Sequence, residues 1–316
     1  MFLKTQLRQK IQIIVNPESD KGRTGKRWKN IKESLHTFLQ EFKYEFTEKP
    51  LHATEISREA IKEGTELIVG VGGDGTMHEI ANGFFEDQKI INPETVLGVL
   101  PSGTGSDLSK SLNIPPGIKN ALEIIKSAPK SLIDTGRVRF KSQSGENKER
   151  FFLNIADFGI GGEVVRRVNL NRMKRKTSSY LQCLISTFIN YKNKKLKLII
   201  DGKELPSDDY MVGAIANGKI FGKGMKIAPD ACLDDGLFDI VLIKGMNMFE
   251  FCLNAWRLYA GSHLKHAKIS LIRGKKVEVE PLEGEDALIE VDGEQLCSAP
   301  ATFEIVPKIF PIKAYL

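Results

Sequence analysis

The chain has 316 residues, 41% hydrophobic and 27% charged, an ordinary balance for a globular protein with a substantial core. That length favours two domains, and the composition excludes a disordered chain, a fibrous repeat or a solenoid. Lys and Arg outnumber Asp and Glu by 46 to 40, a net charge of +6 that favours anionic partners: nucleotides, acidic lipid surfaces or nucleic acid.

Residues Met1–Lys10 carry Lys4, Arg8 and Lys10 and run into a short apolar stretch, too short for a signal-peptide core. No apolar run approaches the length of a membrane span. Ile11 to Val15 reads as a buried strand stopped by Asn16 and Pro17. A polar loop from Glu18 to Gly25 follows, then Trp28, Ile31, Leu35, Phe38 and Leu39 recur at helical spacing. Tyr44 to Thr47 reads as a strand, Glu55 to Glu63 as a helix and Leu67 to Val71 as a strand. Met77 to Phe85 reads as a helix and Val96 to Leu100 as a third buried strand. Strands alternating with helices over the first ~130 residues indicate a parallel α/β sheet covered on both faces.

After Asp134 the texture changes. Strand patterns cover 137–140, 150–154, 195–200, 210–217, 238–243, 267–272, 276–280, 287–291 and 301–306, with Asp201 and Gly202 as a hairpin turn. Helical pattern interrupts near 180–190 and 248–258. These patterns predict a mainly antiparallel β-sandwich as the second domain, with the boundary near Asp134 and substrate in the cleft between domains. Four scattered cysteines (Cys183, Cys232, Cys252, Cys297) form no CxxC pair, which disfavours structural zinc or disulfides and fits a reducing cytosol.

The run Gly72, Gly73, Asp74, Gly75, Thr76 sits between a strand and a helix. Missing side chains let backbone N–H groups approach an anion, and the following helix N-terminus adds positive partial charge. Asp74 would repel a phosphate unless a metal ion or a proton transfer gives it a role; otherwise it caps the helix in a tight turn. The segment is no P-loop: Asp20–Lys26 lacks the first glycine, and Arg27 stands where Ser or Thr is required. GxGxxG is absent from the first strand–helix turn, which disfavours a dinucleotide dehydrogenase. Two later segments read on their own as surface turns: Leu233 to Gly236, which lacks EF-hand spacing, and Val291 to Glu294, an Asp-Gly turn with a solvated glutamate. From 166 to 176 the sequence holds six cations, Arg166, Arg167, Arg172, Lys174, Arg175 and Lys176, and no acid. Such a run is most often a solvated face, but it also suits an anionic bilayer. Few aromatics accompany it, so nucleic-acid binding is disfavoured.

Taken in order, five motifs resemble the soluble diacylglycerol-kinase-like lipid kinases, the group that includes sphingosine and ceramide kinases. They are Val15-Asn16-Pro17, the run from Gly72 to Thr76, Pro101 to Asp107, Asn217-Gly218 with Phe221 to Met225, and Leu233 to Gly236. The likeness spans nearly the whole chain.

The resemblance implies an α/β ATP-binding domain over 1–134, to which 307–316 returns, and a β-sandwich domain over 135–306 carrying the lipid and magnesium sites. Asn16, Pro17, Glu18, Ser19, Asp20, Lys21, Thr47, Gly72, Gly73, Asp74, Gly75, Thr76, Met77, His78, Thr104 and Asp107 would contact the nucleotide, with Lys21 near the phosphates and Asp74 the essential carboxylate. Ser106 stands where the common form has Asn, and Lys110 where Arg is frequent. Mg²⁺ would be held by Asp235 and the carbonyls of Cys232 and Leu237, with Asp134 joining through water. Glu294 would be the general base, orienting and deprotonating a lipid hydroxyl.

Expected partners are a membrane lipid substrate and an anionic membrane surface met through 166–176, with no nucleic acid; a homodimer is allowed. The expected place is the cytoplasm, peripheral to the inner face of the membrane. NAD kinase, which also carries GGDGT, is the main alternative, and the Thr104–Asp107 motif and the Asp234-Asp235 turn argue against it. A non-catalytic nucleotide- or lipid-sensing module is the other, and retention of Asp74 and Glu294 argues against that.

Overall fold

The computed structural model describes residues 9–39, 41–142, 144–173, 186–188 and 191–316. The chain divides into two compact units, Met1–Ile133 with Ile309–Leu316, and Asp134–Lys308.

In the first unit β1 (Ile11–Val15), β2 (Lys43–Phe46), β3 (Leu67–Gly72) and β6 (Val96–Pro101) form a parallel sheet in the order β2-β1-β3-β6. The end of the last strand, β18 (Ala301–Lys313), adds to β6 through Ile312 and Leu97. All of β1 and β3 is buried, as expected for strands covered on both faces, so these stretches show no polar alternation. Helices α1 (Arg23–Leu39), α2 (His52–Lys62), α3 (Asp74–Gly83), α4 (Asp107–Ser111) and α5 (Ile118–Ser127) supply the covering layers, with a short β4/β5 hairpin (Phe85–Glu86, Lys89–Ile90) after α3. Two glycines show how close the layers lie. A Cβ at Gly70 would meet Met77 and Ile80 of α3 at 2.7 Å, and one at Gly98 would meet Ile125 of α5 at 3.1 Å. Gly98 is register partner of Val69, so α3 and α5 cover opposite faces. Phe310 packs against Phe84 with ring centroids 4.9 Å apart, tilted at 46°, within this unit.

The second unit is antiparallel throughout. Its strands are β7 (Lys130–Lys141, entering from the first unit), β8 (Asn147–Phe152), β9 (Ile155–Gly159), β10 (Lys194–Ile200), β11 (Lys203–Glu204), β12 (Asp208–Ala216), β13 (Phe238–Lys244), β14 (Ile269–Gly274), β15 (Lys276–Pro281), β16 (Leu288–Val291), β17 (Glu294–Ser298) and β18. β12 turns one sheet into the next: Asp208–Tyr210 pair with β10, and 212–216 lie between β9 and β13. One core joins Phe152, Phe158, Tyr210, Phe238 and Phe303; a second, under the helices, joins Ile160, Val164, Met211, Ile227 and Leu258. The two-domain fold class read from the sequence, α/β followed by antiparallel β-sandwich, is borne out.

Two elements depart from expectation. α3 begins at Asp74 rather than Met77, so the glycine run is already the first helical turn. Helix α6 (Ile160–Met173) stands where no helix is predicted, and it opens with the poor helix formers Gly161 and Gly162. Both glycines make room: a Cβ on Gly161 would meet the Asp157 carboxylate at 2.3 Å, and one on Gly162 would meet Leu288 at 2.7 Å. Of the basic run, 174–176 lies outside the described residues, as do most of 180–190; Arg166 pairs with Glu163 at 2.7 Å.

Candidate active site

In the first unit the expected nucleotide residues gather at the carboxyl ends of four adjacent strands. Residues 16–21 follow β1, Thr47 follows β2, 72–78 end β3 and open α3, and 102–107 follow β6. Ladder bonds extend past the strands and tie these ends together: Thr47 N–H to Val15 O (2.8 Å), Asn16 N–H to Val71 O (3.0 Å) and Ser102 N–H to Gly72 O (2.8 Å). In an open α/β sheet this end is where ligands bind.

The loops touch through backbone. A Cβ on Gly103 would lie 2.5 Å from Gly73 Cα, so Gly103 has no room for a side chain there. A Cβ on Gly72 would strike Thr76 Oγ1 at 2.4 Å. That hydroxyl accepts from Asn16 Nδ2 at 3.0 Å, while Asn16 Oδ1 accepts from the Glu18 N–H at 3.0 Å. Ser19 Oγ accepts from Gly73 N–H at 3.3 Å. Asp74 Oδ1 accepts the Leu108 N–H at 3.0 Å, joining the first turn of α3 to that of α4. Asp107, buried, pairs with Lys110 at 2.8 Å. Ser106 sits in the left-handed region and its hydroxyl donates to Gly103 O at 3.3 Å, so this side chain ties down the loop's backbone. Asp20, Lys21 and Gly22 are all left-handed, a run that costs about 1 kcal/mol per non-glycine residue and is typical of ligand clamps. Met77 and His78 differ from the rest: their side chains are buried, with His78 against Asn82, so only their backbone can face a nucleotide. Thr104 is exposed.

In the second unit, Asp134 on β7 is fully buried. Its Oδ1 accepts the Lys308 N–H at 2.7 Å and its Oδ2 the Gly236 N–H at 2.6 Å. Burial pushes its carboxyl pKa up, the two N–H bonds pull it back, and Asp235 and Asp234 add a further upward push. Asp235 caps Leu237 N–H at 3.1 Å and pairs with Arg273. Cys232 is a free, exposed cysteine.

The donors around this turn are oxygens, which suits a hard divalent ion. Among the described residues no three His, Cys, Asp or Glu side chains cluster as a metal cage, so an ion here would depend on carbonyls and water. Asn217 Oδ1, beside Asp134, is a buried acceptor without a hydrogen-bond partner among the described residues, a place for a donor such as an ion-bound water. Arg273 would have to share Asp235 with such an ion. On these grounds the residues fit.

Asn217 also links this turn to Glu294. Its Nδ2 donates to Asp134 O (2.9 Å) and Leu153 O (2.7 Å). The N–H groups of Leu153, Asn154 and Ile155 all donate to the Asp292 carboxylate, at 3.0, 3.0 and 3.1 Å. Asp292 is the left-handed first residue of the turn that presents Glu294 at the start of β17. Glu290 Oε1 grips the same turn from its other side by accepting the Gly293 N–H at 2.7 Å. Glu290 is cross-strand partner of the buried Asp157, and the two carboxyls are hydrogen-bonded. Burial raises Asp157 to about 6, and burial together with the Asp157 charge raises Glu290 well above the ordinary range, so the pair holds a proton.

Sequence reasoning missed Asp157, Glu290 and the gripping role of Asp292. Only the Asp-Gly turn hinted at the last. The Asp157–Glu290 pair left no local signal, since its members are 133 positions apart.

These features, a glycine-lined loop cluster at strand ends and an acidic turn hydrogen-bonded toward a glutamate, belong to a two-domain kinase. Residues 10–138 match the diacylglycerol kinase catalytic domain and 154–314 the YegS C-terminal NAD kinase beta sandwich-like domain. The chain belongs to the diacylglycerol kinase-like family, and it is a phosphotransferase. It is 28% identical over 307 residues to a diacylglycerol kinase of Staphylococcus aureus (strain bovine RF122 / ET3-1), covering 94% of this chain and 90% of that one. Its fold is similar to a crystal structure of a diacylglycerol kinase from Bacillus anthracis str. Sterne, with TM-score 0.70, 22% identity and 97% of each chain covered. It is also similar to yeast NADH kinase, with TM-score 0.52, 13% identity, and 98% of this chain and 85% of that one covered. Among the described residues no helix is long and apolar enough to cross a membrane.

Proposed function

We propose that this kinase transfers the γ-phosphoryl group of ATP to a hydroxyl of a membrane lipid of the diacylglycerol class. The observation that carries the nucleotide half is the backbone contact of Gly73 with Gly103 at the mouth of α3, which favours phosphate over any bulkier or uncharged group. The staphylococcal relative is a diacylglycerol kinase by name, which supports the acceptor. Residues 1–134 with 307–316 would bind ATP, and 135–306 would bind the lipid.

In this reading Asn16, the 18–21 loop, Thr47, Thr104 and the backbone of 72–78 orient the nucleotide. Asp74 and Asp107 flank its phosphates, and Lys21 neutralises charge there. Glu294 accepts the proton of the lipid hydroxyl as that oxygen bonds the γ-phosphorus and the bond to the β–γ bridging oxygen breaks. Bound at Asp235 and the Cys232 and Leu237 carbonyls, with Asp134 behind water, Mg²⁺ would supply charge neutralisation. Asn217 and Asp292 keep the acidic turn and Glu294 in fixed relation.

The test is phosphate transfer from labelled ATP to diacylglycerol vesicles, with NAD as competing acceptor. Label on lipid and none on NAD is expected. Asp74→Asn and Glu294→Gln should each lower turnover about 100- to 10,000-fold with unchanged melting. Label on NAD, or near-normal turnover by either variant, overturns the assignment.

A further inference from the structure

Helix α7 (Met248–Ala260) is apolar on two sides. Its inner side packs through Leu258, which is buried, and Phe251, which meets Phe188 at 4.5 Å. Its outer side carries Phe249, Leu253, Trp256 and Tyr259, exposed by 74%, 59%, 61% and 54%. The three most exposed large apolar side chains among the described residues therefore stand on one helix face, at i, i+4 and i+7. With Glu250, Asn254 and Arg257 between the two apolar sides, the outer stripe is a contiguous exposed apolar patch of the kind that marks an interaction surface.

The rim says which one. Between Lys244 and Lys268 four cations (Lys244, Arg257, Lys265, Lys268) stand against one acid, Glu250. Lys268 pairs with Glu250 at 2.5 Å and Lys244 with Asp208 at 2.7 Å, and Arg257 and Lys265 add to the positive rim. Arg257 lies over the Trp256 ring at 5.5 Å. At the C-terminal end the turn carrying Lys219, Lys223 and Lys226 docks on the helix through Lys226 N–H to Leu258 O at 2.8 Å. A Trp, Tyr and Phe stripe with a cationic rim suits an anionic lipid interface, where the rings sit at headgroup level. A second copy of the chain fits less well. Two such faces would bring their cations together, and four side chains expose roughly 500 Å², below the ~800 Å² per partner of a stable interface.

We propose that the outer face of α7 inserts into the headgroup region of an anionic bilayer and so docks the enzyme on the surface that holds its acceptor. This rests on the lipid-kinase reading for its purpose but not for its test.

Trp256 is the probe, since the other tryptophan, Trp28, is only 9% exposed. In a Trp28→Phe background, vesicles of phosphatidylcholine with phosphatidylglycerol should blue-shift Trp256 emission, and phosphatidylcholine alone should not. Phe249→Ser with Leu253→Ser should weaken sedimentation with anionic vesicles about tenfold or more. Melting should stay unchanged, because both side chains are exposed. An unshifted Trp256, or unchanged sedimentation of the double variant, overturns the proposal. So does a wild-type dimer that the double variant splits while vesicle binding persists. Binding is read without ATP, so vesicle docking with no lipid phosphorylated would sink the activity and leave the docking standing. Turnover on detergent-dispersed lipid with no α7-dependent vesicle binding would do the reverse.

Discussion

The two units build their functional regions from opposite materials. The first uses backbone and small residues: Gly72, Gly73, Gly103, Thr76 and Asn16 bring four strand ends together with hardly a buried charge beyond Asp107. The second uses carboxyls, all buried but the half-buried Glu290. Asp134, Asp292 and the Asp157–Glu290 pair each hold backbone N–H groups or one another away from water. A backbone site tolerates loss of hydrogen bonds but not added volume. A carboxylate site tolerates modest volume change but not loss of its acceptor.

The largest effect should come from removing an acceptor in the second unit. Asp292→Ala leaves the N–H groups of Leu153, Asn154 and Ile155 without a partner in a buried turn, a cost on the order of 3 kcal/mol in denaturant unfolding. It should also lower turnover by freeing Glu294. Asp292→Asn retains one acceptor oxygen and should recover part of both. If Asp292→Ala melts like wild type, the carboxylate scaffold is not what holds that turn.

This contrast explains what could be read in advance. The first region announces itself because glycine between a strand and a helix is a local signal, and parallel strands then bring the loops together of necessity. In the second, Asp134 meets Lys308, Asp292 meets residues 153–155 and Asp157 meets Glu290, all pairings across more than 130 positions. No window of sequence contains both partners. The same long-range packing hid α6, whose glycines are required by Asp157 and Leu288 rather than by a turn. Likewise the helical pattern over 248–258 was legible, but not that its most apolar face points outward.

A smaller effect tests the other side of the contrast. Gly103→Ala puts a methyl group 2.5 Å from Gly73 Cα, a backbone atom that cannot rotate away, and Gly103 is not in the left-handed region. The cost is therefore purely one of contact, about 2 kcal/mol, with ATP binding weakened in equilibrium titration. Gly293→Ala is the control. Its φ is +90° but a Cβ there meets nothing within 4 Å, so it should cost about 1 kcal/mol of backbone strain and leave ATP binding alone. Equal effects of the two on ATP binding would erase the distinction between a loop closed by contact and a turn set by conformation.

The smallest effect is also the most diagnostic, because it depends on pH. In the unfolded chain Asp157 gives up its proton near the ordinary value of about 4, whereas in the folded chain it does so at about 6, and Glu290 is raised as well. Between those values the native state binds more protons than the unfolded one, so stability is fully present below about pH 4 and is lost as pH rises through 6. Glu290→Gln removes one of the two raised carboxyls, and with it that group's own titration, while keeping an acceptor for the Gly293 N–H. The variant should lose less stability than wild type between about pH 5 and about pH 8, by on the order of 1 kcal/mol in urea midpoints, and match it more closely at the acid end. Because Glu294 follows the gripped turn directly, the turnover profile of the variant should keep its shape, the amide still holding Gly293. Parallel stability curves for the two proteins would mean that the dyad carries no shared proton, and the second unit would then differ from the first in composition but not in how it answers to pH.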